Sequence, residues 1–291
     1  MTQTPNLADV PAGPADLGHL LVWGQELLIQ HSESARLDAE LLLAHVLGRP
    51  RSYLGAHPEI LPEPDAVGRY QDLLRRRAQG EPIAYLTGER EFWSLPLMVN
   101  ADVLVPRPET ELAAERCLAL YGPQPAQVVD LGTGSGAIAL ALASERPAWQ
   151  VFATDRSGSA LQIARANAAR LGLEAVRFLQ GDWFEPLAAN RFHLIVSNPP
   201  YIAANDPHLA DLRFEPALAL TPGATGMEAL ELILRQAPGH LVPGGWLVLE
   251  HGNDQGQKLR SALVAAGYAR VRCYADLAGH DRVTEAQWPH G

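Results

Sequence analysis

Short apolar runs alternate with helical patterns from residue 126 almost to the end of the chain. The runs predict strands over residues 127–131, 151–154, 176–179, 192–196 and 246–250, and two late strands near 271–273 and 283–284. Helical spacing of apolar residues marks residues 137–144, 159–171, 227–237 and 255–266. Strands and helices that alternate in this way form a parallel sheet with helices on both faces. We therefore expect an α/β fold for this part of the chain.

The N-terminal part of the chain carries apolar residues at helical spacing only. This spacing predicts three helices, over residues 17–29, 34–47 and 65–79. Aromatic and β-branched residues around turn residues follow over 84–106, which is typical of a hairpin between two domains. We expect a flexible tail over residues 1–16, a helical domain over 17–83, a hairpin linker over 84–108 and a second domain over 109–291.

Composition limits the class of protein. The 291 residues include 47% hydrophobic residues and carry a net charge of −10, which argues against a broad basic face that holds nucleic acid. The two cysteines have no metal-ligand spacing and are interpreted as ordinary core or helix residues. The first 16 residues lack the apolar core of a secretory signal, and no run of about 18 apolar residues occurs. We expect a cytoplasmic protein without a metal site.

A glycine-rich loop joins the first strand of the α/β part to its helix. Its residues are Gly132, Thr133, Gly134, Ser135 and Gly136. Such a loop lies at the carboxyl end of a strand, where α/β sheets bind ligands, and its glycines let a ligand approach the backbone. The spacing also satisfies the dinucleotide pattern G-x-G-x-x-G/A, with an acid at the end of the next strand. The loop alone is compatible with either a nicotinamide cofactor or S-adenosylmethionine.

The ends of the next two strands supply an acid and an aromatic residue. Asp155 ends the second strand, where its carboxylate could accept hydrogen bonds from both ribose hydroxyls of a nucleoside. Asp182 and Trp183 follow the third strand. We expect Asp182 to meet an adenine amino group and Trp183 to pack on the adenine ring.

The fourth strand runs into a stiff corner made of Asn198, Pro199, Pro200 and Tyr201. Two consecutive prolines fix their own φ and restrain the residues before them. The Asn198 side-chain oxygen and the Pro199 carbonyl could accept the two hydrogens of a planar NH2 group, while the Tyr201 ring stacks on its plane. A dehydrogenase has no evident use for this corner, so the four strand ends together predict a methyl-transfer site. We interpret His251, after the fifth strand, as a structural histidine rather than a general base.

Several segments resemble one enzyme family, the peptide chain release factor glutamine N5-methyltransferases, which are class I S-adenosylmethionine-dependent enzymes. The resemblance covers roughly residues 17–285 and is carried by residues 80–88, 105–111, 130–140, 197–202 and 214–216. It implies a Rossmann-like seven-stranded methyltransferase sheet preceded by a small helical domain and a hairpin linker. Within residues 105–111, Glu109 or Thr110 could serve the N-terminus of the helix that follows.

The resemblance also implies an activity and roles for the site residues. The glycine loop, Asp155, Trp183 and Asn198 would bind S-adenosylmethionine, and residues 198–201 would hold a glutamine side chain. The substrate would be the glutamine of the Gly-Gly-Gln motif of bacterial release factors, docked with the help of the N-terminal helical domain. We expect a monomer with no stable nucleic-acid binding and no membrane contact. An adenine-N6 methyltransferase of DNA or RNA, or a glutamine methyltransferase of a ribosomal protein, remains the alternative.

Overall fold

The computed structural model describes residues 15–289, and the chain divides into two compact units, residues 1–88 and 89–291. Most of the predicted tail, residues 1–14, lies outside the described residues. The first unit is helical, with α1 (Leu17–Leu28), α2 (Ala35–Leu47), α3 (Arg51–Ala56), α4 (Pro64–Ala78) and α5 (Ile83–Thr87). The three helices predicted for this part are confirmed as α1, α2 and α4.

The helical unit has a core of its own. The apolar stripes of α1, α2 and α4 bury Leu20, Leu42, Leu43 and Leu74 completely. Complete burial of a leucine side chain is worth roughly 2 kcal/mol, so these stripes are what holds the unit together. The unit also buries a charged residue, Asp38, whose carboxylate accepts a hydrogen bond from Arg77 Nε at 2.7 Å.

The second unit begins with a hairpin of two antiparallel strands, β1 (Glu89–Phe92) and β2 (Leu95–Met98). The hairpin lies within the range 84–106 predicted for it, but it is shorter. Residues 84–87 belong to helix α5, because Pro82 starts a helical turn that ends at Gly88 in the left-handed conformation.

A seven-stranded sheet forms the centre of the second unit. Its strands are β3 (Gln127–Leu131), β4 (Gln150–Asp155), β5 (Arg177–Gln180), β6 (Phe192–Ser197), β7 (Leu241–Glu250), β8 (Ala269–Ala275) and β9 (Asp281–Gln287). Their order across the sheet is β5-β4-β3-β6-β7-β9-β8, and β9 alone runs antiparallel to both its neighbours. All seven predicted strands are therefore confirmed, as is the Rossmann-like α/β fold.

Helices pack on both faces of this sheet. They are α6 (Glu111–Leu120), α7 (Ala137–Glu145), α8 (Gly158–Leu171), α10 (Glu228–Gln236) and α11 (Gly256–Ala265). A short helix, α9 (Ala217–Leu220), lies in the segment between β6 and α10. Two apolar clusters lie between helices and sheet; one contains α6 and α7 residues with Val128, and the other contains α10 and α11 residues with Val129. Neighbouring residues of β3 thus point to opposite faces, as the two-residue period of a strand requires.

The strand register brings the carboxyl ends of β3, β4 and β6 together. Leu131, at the end of β3, pairs with Thr154 of β4 on one side and with Ser197 of β6 on the other. The residues that follow these strands therefore share one edge of the sheet. None of the helices within residues 15–289 has both the length and the apolar character needed to cross a membrane.

Candidate active site

The glycine loop is folded tightly against the end of β4. The backbone N–H groups of Gly132 and Thr133 both donate to the carbonyl of Thr154 at 2.9 Å. Gly132, Gly134 and Gly136 all have positive φ, a conformation that costs other residues roughly 1–2 kcal/mol. A Cβ built on Gly134 would meet no atom within 4 Å, so the loop faces open space at that residue.

Asp130 supports the loop through hydrogen bonds. Its Oδ2 accepts hydrogen bonds from Thr133 Oγ1 at 2.6 Å and from the Ala139 backbone N–H at 3.2 Å. Burial raises the pKa of this carboxyl to about 7. Its Oδ1 is buried and has no hydrogen-bond partner among the described residues. The sequence assigned no role to Asp130, although its place two residues before the first glycine could have indicated one.

Asp155 holds the glycine loop next to the start of α8. Its Oδ2 accepts from the Gly134 N–H at 2.9 Å, and its Oδ1 accepts from the Ser157 N–H at 2.8 Å. Ser157, not Asp155, caps α8 through a bond from the Ala160 N–H. Burial raises the pKa of Asp155. Each carboxylate oxygen keeps a second lone pair, so the group retains acceptors for two hydroxyls.

Trp183 packs against the glycine loop, whereas Asp182 faces a surface arginine. The Trp183 ring lies 3.4 Å from the place where a Gly132 Cβ would stand. The Trp183 backbone has φ of 48°, and its carbonyl accepts from Thr154 Oγ1 at 3.0 Å. The Asp182 side chain is 48% exposed and lies 3.4 Å from Arg156 Nε. The structure thus brings the predicted aromatic residue to the loop and pairs the predicted adenine-binding acid with Arg156.

The Asn198 corner begins directly beside the glycine loop. Ser197, the last residue of β6, is buried and donates through Oγ to the Leu131 carbonyl at 2.7 Å. Because Leu131 and Ser197 are paired, Gly132 and Asn198 leave adjacent strand ends. The Asn198 amide is half-buried, and its Nδ2 donates to Thr110 Oγ1 at 3.1 Å. This bond engages the donor end of the amide and leaves its oxygen end available as an acceptor.

Thr110 takes a different role from the one expected. The turn Pro108–Thr110 is a 3-10 helix that leads into α6, and the Thr110 side chain makes no capping bond there. The Glu109 side chain makes none either. Thr110 is in the αR conformation instead of the extended one typical of a capping residue, so its hydroxyl does not reach back to the helix. It contacts Asn198.

Tyr201 is held through its side-chain hydroxyl and its backbone carbonyl. Its hydroxyl donates to Glu250 Oε1 at 3.4 Å, and its carbonyl accepts from Gln255 Nε2 at 2.9 Å. A Cβ at Gly226 would stand 2.3 Å from that carbonyl, so only glycine fits there. Burial raises the pKa of the Tyr201 hydroxyl. The phenol is therefore a neutral group with a set ring position.

Glu250 is a buried carboxyl at the end of β7. It is 1% exposed, and burial raises its pKa to about 7. The hydroxyls of Thr110 and Tyr201 and the charge of Arg282 partly oppose this rise, while Glu109 adds to it. Its Oε2 is buried and accepts no hydrogen bond within residues 15–289. No role for Glu250 was predicted from the sequence.

Glu215 joins two of the segments that carry the family resemblance. Its carboxylate forms an ion pair with Arg107 and also accepts from the Val105 N–H at 3.0 Å. The Glu215 side chain is only 2% exposed. Residues 105–111 and 214–216 are therefore tied together, and Thr110 lies within the first of them.

His251 is buried and satisfied, as interpreted from the sequence. Its Nδ1 lies 2.8 Å from the Gly252 carbonyl and its Nε2 lies 2.8 Å from Thr284 Oγ1. Burial lowers its pKa, so the ring is neutral near pH 7. Both ring nitrogens have hydrogen-bond partners, and burial opposes the charge that a second ring proton would bring.

Comparisons with known proteins extend these observations. Residues 19–88 match the family described as PrmC N-terminal domain, and residues 115–213 match the Methyltransferase small domain. A release factor glutamine methyltransferase of Escherichia coli (strain K12) is 48% identical over 90% of this chain and 96% of its own length. One of Pseudomonas aeruginosa is 51% identical over 88% of this chain and 94% of its own.

The chain belongs to the release factor glutamine methyltransferase family. Two solved structures share the fold of this methyltransferase. A methyltransferase from Pyrococcus furiosus has a TM-score of 0.52 and 20% identity, covering 67% of this chain and 89% of its own. A 16S rRNA methyltransferase of T. thermophilus, solved with AdoMet and guanosine, also has a TM-score of 0.52 and 20% identity, covering 68% of this chain and 49% of its own.

The residues of this methyltransferase fit S-adenosylmethionine, the cofactor predicted from the sequence. The Asp155 carboxylate offers acceptors for ribose hydroxyls, and the Trp183 ring supplies an apolar wall beside Gly132. Open space over Gly134 allows a ligand to approach the loop backbone. These features lie at the carboxyl edge of the sheet, where open α/β folds bind nucleotides.

Proposed function

We propose that this enzyme transfers a methyl group from S-adenosylmethionine to the side-chain amide nitrogen, N5, of the glutamine in the Gly-Gly-Gln motif of bacterial peptide chain release factors. Membership of the family supports this substrate. The observation that carries the proposal is the pairing of Leu131 with Ser197, which sets Asn198 beside the glycine loop. A cofactor-binding loop and an acceptor for an NH2 group thereby share one strand edge.

The corner is suited to hold a glutamine amide. The Asn198 oxygen and the Pro199 carbonyl accept the two N–H hydrogens, and the Tyr201 ring stacks on the amide plane. Accepting both hydrogens draws charge onto a nitrogen whose lone pair is otherwise delocalised into the carbonyl. The two prolines keep these acceptors in a fixed geometry, and orientation of this kind can supply many kcal/mol of the barrier.

The opposite side of the site binds the cofactor. Bound S-adenosylmethionine supplies a methyl group on a positively charged sulfur, which leaves as a neutral thioether. Asp155 accepts hydrogen bonds from the ribose hydroxyls, Trp183 packs on the adenine, and Asp182 accepts a hydrogen bond from the adenine amino group. Residues 132–136 approach the cofactor through their backbone.

No general base is needed within the chain. Once the nitrogen carries the methyl group it is positively charged, and it loses one proton to solvent. His251 is not assigned this proton, because burial disfavours its charged form and both its ring nitrogens already have partners.

The N-terminal unit is assigned to docking of the protein substrate. We propose that residues 17–83 form this docking domain, residues 84–108 the linker and residues 109–291 the catalytic domain. The match of residues 19–88 to the PrmC N-terminal domain supports the first assignment. The proposed reaction takes place in the cytoplasm, on a monomeric enzyme that binds no nucleic acid stably.

Labelled S-adenosylmethionine tests the proposal. The enzyme is incubated separately with a bacterial release factor, with ribosomal proteins and with DNA or RNA, and the label is followed. We expect label only in the release factor, and none in a release factor whose Gly-Gly-Gln glutamine is replaced by alanine. Label in nucleic acid or in a ribosomal protein, with none in the release factor, would overturn the proposal.

A further inference from the structure

The direction of the Asn198 amide decides whether the corner can accept a hydrogen bond. An asparagine side chain has an oxygen end that accepts and a nitrogen end that donates, and rotating it by half a turn exchanges them. If the nitrogen end faced the substrate, it would meet an NH2 group, which also donates. A contact within the protein must therefore favour one of the two orientations.

In the structure, Thr110 favours the orientation in which the nitrogen end of the amide faces its hydroxyl. Its Oγ1 accepts from Asn198 Nδ2 at 3.1 Å, although the two residues are 88 positions apart in the sequence. Thr110 is 4% exposed, so no bulk water competes for this bond. The Thr110 oxygen accepts the Asn198 N–H, so the oxygen end of the amide is turned away from Thr110.

Glu250 holds another residue of the corner. Its Oε1 accepts from the Tyr201 hydroxyl at 3.4 Å, and the residue is 1% exposed. Thr110 and Glu250 therefore contact two different residues of the corner, Asn198 and Tyr201.

We propose that Thr110 is a positioning residue for methyl transfer, which holds the Asn198 amide with its oxygen toward the substrate nitrogen. This inference rests on the proposed function. The Asn198 Nδ2 group donates to Thr110 Oγ1, so rotating the amide by half a turn would break this bond.

Thr110 variants test this role. Thr110→Val keeps the shape but removes the hydroxyl, and Thr110→Ser restores it. With release factor as substrate, we expect kcat to fall about tenfold or more in Thr110→Val and to recover to within about threefold in Thr110→Ser, because loss of orientation acts on the transfer step. The Kd for S-adenosylmethionine, measured by calorimetry, should change less than about threefold in both.

A normal kcat in Thr110→Val, or a loss in Thr110→Ser as large as the loss in Thr110→Val, would overturn the inference. If the wild-type enzyme does not label release factor at all, the proposed function fails instead, so the two failures are distinguishable.

Discussion

Arg107 and Glu215, 108 residues apart in the sequence, form an ion pair that ties the segment before α6 to the loop after β6. Glu215 is nearly inaccessible to solvent, and it also accepts from the Val105 N–H. The pair therefore fixes the backbone that leads to Thr110. Neither residue was predicted to belong to the site, yet both lie in segments that carry the family resemblance.

Replacing Glu215 should destabilise the enzyme measurably. Glu215→Ala leaves Arg107 and the Val105 N–H without their acceptor, and we expect a loss of roughly 1–3 kcal/mol in the free energy of unfolding. Urea denaturation measures it. The matched control is Arg170→Gln, which removes the half-exposed Arg170–Glu89 pair and should cost under about 1 kcal/mol. Equal losses in the two variants would contradict the structural role of Glu215.

Asn198→Ala should abolish transfer while leaving cofactor binding largely intact. The variant removes one of the two acceptors for the substrate amide, and a misplacement of about 1 Å costs roughly a hundredfold in rate. We expect kcat to fall by about that factor or more, with a change in the S-adenosylmethionine Kd of less than about tenfold. Near-normal turnover in this variant would show that Asn198 does not hold the amide.

Tyr201 should be needed for its ring more than for its hydroxyl. Tyr201→Phe keeps the stacking surface and loses only a long hydrogen bond to Glu250, whereas Tyr201→Ala loses both. We expect Tyr201→Ala to lower kcat/KM by at least about tenfold more than Tyr201→Phe does, since aromatic contacts carry most of the interaction. Steady-state kinetics with release factor distinguishes them, and equal losses would refute the stacking role.

Two glycines with similar positive φ allow an effect on folding to be distinguished from an effect on cofactor binding. Gly134 has φ of 56° and Gly172, at the end of α8, has φ of 69°; a Cβ on either meets no atom within 4 Å. Gly134→Ala and Gly172→Ala should each lose roughly 1–2 kcal/mol of stability from strain alone. Only Gly134→Ala should weaken S-adenosylmethionine binding in calorimetry. Equal affinities would show that the cofactor does not approach Gly134.

The stability of the cofactor-free enzyme should decrease as pH rises from about 4.5 to 7 through Glu250. Its pKa is raised from 4.5 to about 7 by burial, so in this window the folded protein keeps a proton that the unfolded chain has lost. At roughly 1.4 kcal/mol per pKa unit, the decrease is up to about 3 kcal/mol.

Glu250→Gln carries no titratable proton at this position, so its stability should decrease less over the same window. Asp130, whose pKa is also raised to about 7, contributes in the same direction, so a smaller decrease in stability remains in this variant. Denaturation at pH 5 and pH 8 measures both slopes. Identical slopes in the two proteins would mean that Glu250 is not the group that titrates.

The parts predicted well from sequence are those set by local pattern. Alternating strands and helices determine the α/β fold, and the rule that parallel strands end at one edge places Gly132, Asp155 and Asn198 together. Trp183 reaches the glycine loop for the same reason. Helices α3 and α5 were missed because six and five residues are too few to show a helical period.

The supporting contacts could not be predicted in this way. Thr110, Glu215 and Glu250 each act through a partner that lies far away in the sequence, and no local spacing records such a pair. Thr110 or Glu109 was expected to serve the start of α6, since threonine is a common capping residue and an acid favours a helix N-terminus. Its hydroxyl was instead found with Asn198, a contact that only the folded chain defines.

The last strand of the sheet has a consequence for biosynthesis. Because β9 inserts between β7 and β8, both of which precede it in the chain, the ribosome completes those two strands before β9 is available to pair with either of them. The N–H and C=O groups along one side of β7 therefore stay unpaired in the nascent polypeptide until residues 281–287 are translated. An open edge of this kind can recruit foreign strands, so the interval before β9 emerges is when newly made enzyme is most exposed to aggregation.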